Sequence, residues 1–142
     1  MSADERIFVD TNILVYAYEK ENSEKRAKCV KLVEKCFSGE LDLYISNQVL
    51  AELSSVLLNK IEKPLPPEDV RGIIEEINKT ESWKKISYDG KTVEKAVSGA
   101  SPFWDALIGE TMRENNILKI YTENTKDFER LEGIIPINPI KN

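Results

Sequence analysis

The chain has 142 residues, 41% of them apolar and 32% charged, a balance that suits one soluble globular domain and excludes both a disordered chain and a membrane span. Its net charge of −5 excludes a protein that holds nucleic acid by overall electrostatics, so a nucleic-acid substrate would need local basic residues and a bound cation. Histidine is absent, which excludes Ser-His and Cys-His nucleophile pairs and every His-ligated metal and leaves the chemistry to carboxylates.

Met1 to Arg6 is polar and acidic, and the apolar run Ile13 to Ala17 is too short and wrongly flanked for a signal peptide, so a cytoplasmic location is expected. Ile7 to Val9 reads as a short buried strand, followed by Asp10, Thr11 and a helix capped by Asn12. After a polar break at Asn22 and Ser23, apolar or small residues at 29, 32, 33, 36 and 37 predict a helix from Glu24 to Phe37 that stops near Gly39. Cys29 and Cys36 lie on one face of it, roughly 10 Å apart at the ~1.5 Å rise of a helix, too far for a disulfide and placed as small buried hydrophobes.

Leu41 to Ile45 is a second strand, and Ser46 caps a helix from Asn47 to near Ile61. Pro64, Pro66 and Pro67 make a stiff turn before a helix over Glu68 to Lys79, and Trp83 to Ser87 is a third strand. A helix from about Gly90 to Ser98 ends at Gly99, and Ser101-Pro102 supplies a cap and first-turn proline for a helix over Phe103 to Asn115. Ile117 to Tyr121 and Ile134 to Ile137 complete the strands. Strands separated by helices imply an α/β fold with a mostly parallel sheet covered on both faces, whose ligands bind beyond the strands' carboxyl ends.

Asp10 follows the first strand directly and so faces that edge, although an aspartate there can equally serve as a cap. Thr11 and Asn12 add hydrogen-bonding groups beside it. Glu52 falls at the border of the stripe Val49, Leu50, Leu53, Val56 and Leu57, and Asp105 at the edge of the stripe Phe103, Trp104, Leu107, Ile108 and Met112. Each acid alone has an ordinary reading, as a surface residue or as a favourable charge near a helix start. Two helices each placing an acid at an apolar border near one sheet edge calls for more. Thr122, Glu123 and Asn124 follow the fourth strand, with Asp127 further on; a turn accounts for Asn124 and Asp127, while the Thr122 hydroxyl could face a phosphate or a metal-bound water. Carboxylates gathered in one place repel unless a cation neutralises them, and oxygen-only donors suit Mg²⁺ or Mn²⁺. Such an ion activates water and stabilises a transferring phosphoryl group, so phosphodiester hydrolysis is the expected chemistry.

These segments resemble the PIN-domain family from Ile7 to about Leu131. IFVDTNILVYAY is similar to its opening motif, SNQVLAELSSVLL and SPFWDALIGETM to the helices bearing its second and third acids, and YTENTKDFERL to its closing pattern. The resemblance implies a three-layer α/β/α sandwich with about five strands, formed by residues 1–142 as a single domain. It implies a metal-dependent endoribonuclease like the VapC-type toxins of toxin-antitoxin pairs, with RNA as substrate, a cognate antitoxin and a homodimeric state. By position, Asp10, Glu52 and Asp105 match the first three acids, with Asp10 and Asp105 as the direct ligands. Asn124 stands where many members carry aspartate, so Asp127 or a water held by Asn124 would complete the site; Glu123 is the remaining candidate, its side chain expected to point away from that of Asn124. Two other readings compete: a haloacid-dehalogenase-like phosphatase using Asp10 as nucleophile, which expects aspartate where Asn12 stands, and a non-catalytic RNA- or protein-binding module on the same fold.

Overall fold

The computed structural model describes residues 6–19, 23–97 and 101–141; Met1 to Glu5, the Asn22 break and the Ser98-Gly99 helix stop lie outside them. Five strands, β1 (Ile7–Val9), β2 (Leu43–Ser46), β3 (Trp83–Ile86), β4 (Lys119–Tyr121) and β5 (Ile135–Ile137), pair in the order β3-β2-β1-β4-β5, every pair parallel. The helices between them are α1 (Thr11–Tyr18), α2 (Glu24–Phe37), α3 (Asn47–Asn59), α4 (Pro67–Lys79), α5 (Gly90–Val97), α6 (Phe103–Glu114) and α7 (Thr125–Glu129). No helix among the described residues is long and apolar enough to cross a membrane.

The chain steps from β1 through β2 to β3 in one direction and then returns past β1 to β4 and β5 in the other. Right-handed crossovers that step in opposite directions must lie on opposite faces of the sheet. The helices accordingly pack in two groups, α1 to α4 against one another and α5 to α7 against one another, which gives the three layers. The order reverses between β1 and β4, and a crevice opens at such a switch point because the loops leave in opposite directions.

Hydrophobic periodicity explains most element positions. Phe8 and Val9 in the central strand, Ile45 in β2 and Ile120 in β4 are buried, as are Cys29, Val33 and Cys36 on one face of α2. Both cysteines are free thiols. Ser23 and Ser46 cap α2 and α3 through their side chains, and Gly39, at φ 82°, supplies the left-handed turn after α2. Pro67 is the first residue of α4 rather than part of the preceding turn, since its fixed φ and missing N–H suit that position.

Four local expectations fail. The α1 cap is Asp10, whose carboxylate accepts from the Thr11 N–H at 2.8 Å, and Asn12 lies inside the helix. The residue capping α6 is Pro102 without any side-chain bond, so Ser101 does not act as the cap and Asp105 moves one position nearer the helix start. Trp104 is 58% exposed and lies off the buried stripe, which runs instead through Ala106, Leu107, Ile108 and Met112. The segment after β4, read as a turn, forms the one-turn helix α7, which buries Phe128. Gly109 allows this region to close on α6, because a Cβ there would stand 2.8 Å from Leu131 Cδ1.

Candidate active site

The carboxyl ends of β1 and β4 meet at the switch point. The Asp10 N–H donates to the Tyr121 carbonyl at 2.9 Å, which places Asp10 and Thr122 side by side as the two strands end. Asp10 is 8% exposed and Thr122 is fully buried. The Thr122 hydroxyl donates to Asp10 Oδ2 at 2.7 Å, and Asn12 Nδ2 donates to the same oxygen at 3.2 Å. With the Thr11 N–H on Oδ1, the carboxylate is fixed by three donors from the two strand ends. Asn12 Oδ1 in turn accepts the Glu123 N–H at 3.3 Å, and Thr122 Oγ1 accepts that of Asn124 at 3.0 Å. Thr122 therefore donates its hydroxyl proton to Asp10, not to a phosphate or a metal-bound water.

Burial pushes the Asp10 carboxyl up to about 6, the nearby charge of Glu52 adding to it and the Thr122, Thr11 and Asn12 hydrogen bonds acting against it. Asp105 is also pushed up to about 6, first by burial and then by the charges of Asp10 and Asp127. Glu52 is raised by burial and by Asp105, against a hydrogen bond from Gln48 and the charge of Lys60. The three acids, distant in sequence, thus lie within electrostatic reach of one another. Asp10, Glu52 and Asp105 line one cleft of about 570 Å³ with Thr11, Asn12, Asn124 and the apolar walls Val15, Val56 and Ile108.

Asp127 is not part of that lining, although Asp105 feels its charge. Asn124 lines the cleft. Glu123 does too, and it is engaged there by the Tyr16 hydroxyl at 2.8 Å and Lys25 Nζ at 2.7 Å. Those contacts hold its carboxyl below the usual glutamate range, so it is an already neutralised anion. Sequence reasoning missed Tyr16, Glu19 and Lys25; the i, i+4 spacing of Asn12 and Tyr16 on α1 was the available signal. It also missed Gln48, a buried polar residue hidden in an apolar stretch.

The residues present fit a hard divalent cation. Among the described residues no three histidine, cysteine or acidic side chains converge tightly enough to encircle an ion by themselves. A cation that keeps several of its waters needs only one or two carboxylates, however, and Asp10 and Asp105 are two anions held near each other at a cost that a cation would relieve. Neither imidazole nor thiolate lines the cleft, which disfavours zinc or copper.

The dependence of Asp10 on Thr122 is testable. Thr122→Val removes the hydroxyl donor to Asp10 and the acceptor of the Asn124 N–H. Urea unfolding near neutral pH should show a loss of about 1–3 kcal/mol. The loss should shrink at about pH 4, where Asp10 is protonated in the fold, while Thr122→Ser stays close to wild type.

A family model for the PIN domain matches residues 7–134. Over 128 residues the chain is 27% identical to Ribonuclease VapC24 of Mycobacterium tuberculosis, an alignment covering 84% of this chain and 87% of that one. The fold is shared with the crystal structure of Mycobacterium tuberculosis VapC20, a Sarcin-Ricin loop cleaving toxin, at TM-score 0.65 and 19% identity over 87% of this chain and 92% of that one. It is shared also with VapBC2 from Rickettsia felis, crystallised on a DNA fragment from its promoter, at TM-score 0.63 and 22% identity over 93% of this chain and 97% of that one. With a match spanning nearly the whole described chain and a five-stranded parallel sheet whose switch point gathers the expected acids, the chain belongs to the PIN domain family.

Proposed function

We propose that this protein is a divalent-metal-dependent endoribonuclease, the toxin of a toxin-antitoxin pair. The observation that carries the reading is the pair Asp10 and Asp105, both pushed up to about 6 in one cleft at the sheet's switch point. The VapC ribonuclease resemblance supplies the substrate class. Asp10 and Asp105 would hold Mg²⁺ or Mn²⁺, with Glu52 completing the acidic set. The cation supplies Lewis-acid activation of water and neutralisation of charge building on the phosphodiester. Asp10 is kept in one orientation by Thr122, Thr11 and Asn12, so the geometry is prepared before any ligand arrives. Asn124, on the cleft wall, is placed to orient a water or a phosphate oxygen, and Asp127 acts on Asp105 through its charge. Val15, Val56 and Ile108 exclude bulk water from one side.

The test is cleavage of single-stranded and structured RNA by purified protein with Mg²⁺ or Mn²⁺, and with EDTA. Cleavage should appear with either ion, vanish on chelation and return on adding metal back. Absence of cleavage with both ions, together with equal Mn²⁺ binding by wild type and Asp10→Asn, would sink the reading. Co-expression with the product of a neighbouring small gene should yield a complex in which cleavage is blocked.

A non-catalytic module on the same fold is favoured by one observation, the want of three acids converging among the described residues. Calorimetry separates it from the enzyme: RNA binding unaffected by metal, Asp10→Asn or Asp105→Asn would support it. The phosphoaspartyl reading is not retained, because Asn12 stands where that chemistry expects a second aspartate and the chain belongs to the PIN domain family.

A further inference from the structure

Gln48, in the first turn of α3, is only 4% exposed, although glutamine is ordinarily a surface residue. Its amide nitrogen donates to Glu52 Oε1 at 2.9 Å, one helical turn onward, and to the Trp104 carbonyl at 3.1 Å. Both neighbours accept only, so the amide has one acceptable orientation; the flipped form would crowd three oxygens together. The remaining atom, Oε1, is buried with no hydrogen-bond partner among the described residues. That is a destabilising arrangement, which an apolar side chain of the same length would avoid. Stability alone therefore does not explain a glutamine here.

The two bonds span the molecule in a particular way. α3 belongs to one helical layer and α6 to the other, and Trp104 immediately precedes Asp105 in the first turn of α6. Gln48 thus links the carboxylate of Glu52 to the backbone that carries Asp105, across the sheet's carboxyl edge.

We infer that Gln48 is a positioning residue, a strut that fixes the Glu52 carboxylate in the cleft and ties it to the helix start bearing Asp105. Its consequence for catalysis rests on the ribonuclease reading; its effect on Glu52 does not. Without the strut, Glu52 is a long, half-buried side chain with several rotamers open to it, and the spacing of the second and third acids is no longer set.

The test uses Gln48→Met, which keeps length and burial while removing both N–H bonds and the unpaired oxygen, and Gln48→Asn, which keeps an amide too short to reach. Q48M should melt at or above the wild-type temperature. Its metal-free crystal structure should show Glu52 displaced over an unchanged α3 backbone; Glu52 left in place would overturn the inference, and Q48N provides the same readout if Q48M does not fold. Calorimetry with Mn²⁺ alone should show affinity lowered about 10- to 100-fold by Q48M. In a Glu52→Ala background Q48M should lower it no further, since the strut then has nothing to hold. An equal fall in both backgrounds, or no fall in either, would overturn the inference. A wild type that neither binds Mn²⁺ nor cleaves RNA sinks the ribonuclease reading alone, and the position of Glu52 in the variant structure then decides the matter.

Discussion

Asp10→Asn should abolish RNA cleavage and at the same time stabilise the metal-free protein near neutral pH. The first half follows from its proposed place as a direct ligand: loss should exceed the roughly 10- to 100-fold that even partners of ligands are worth. The second half follows from burial. Asp10 has its folded-state carboxyl raised from 3.8 to about 6, so the folded state binds the proton more tightly than the unfolded chain does. Stability contributed by that proton is complete below about pH 4 and is lost as pH rises through about 6. The shift corresponds to about 3 kcal/mol. Asparagine carries no charge to bury, but its amide meets Asn12 Nδ2 donor to donor and recovers only part of the Thr122 bond. A net gain of about 1–2 kcal/mol near pH 7 remains after that mismatch. Urea melts across the acid range check it: the wild type should lose stability between about pH 4 and 6, and the variant should lose less. Equal slopes would show that Asp10 is not held above its ordinary range.

Divalent metal should reverse the same penalty. At a hundred times its dissociation constant, Mn²⁺ should add about 2.7 kcal/mol to unfolding, since it binds the assembled cleft and not the unfolded chain. The gain should be largest above about pH 6, where Asp10 and Asp105 are ionised, and should fade towards about pH 4 as protons compete for the same oxygens. Thermal melts with and without Mn²⁺ measure it directly. D10N should show little of this stabilisation, and the cleavage rate should climb over the same interval. A metal-induced rise in Tm as large in D10N as in wild type would place the ion somewhere other than this cleft.

Both expectations have one physical basis: like charges kept close destabilise the metal-free fold until a ligand relieves them. The destabilisation is local. Phe8, Trp83, Ile120 and Phe128 are fully buried in an apolar core that does not include the cleft acids.

Much of the architecture was legible in the sequence because periodicity is a one-dimensional signal. Apolar residues at helical spacing located α2, α4 and α6, short apolar runs bounded by polar residues located β1 and β4, and their alternation implied parallel pairing. The serine capping α3 was legible for the same reason, since a cap bonds residues only two or three positions away. The acids Asp10, Glu52 and Asp105 could be singled out by their places at a strand end and at two apolar borders. Their roles in catalysis stand as proposals.

What the sequence alone determined, then, was every strand and every helix but α7, their parallel arrangement and the acids available at one edge, because each depends on neighbours a few residues apart. The tertiary structure decided the rest through contacts between distant segments. It turned Thr122 inward to Asp10 across 112 positions, gave Glu123 to Tyr16 and Lys25, left Trp104 exposed and buried Gln48 between two helical layers. It also decided which charges share a cleft, and hence that Asp10 and Asp105 are raised to about 6. Desolvation and Coulomb repulsion depend on distances in space, and no local pattern of residues encodes them.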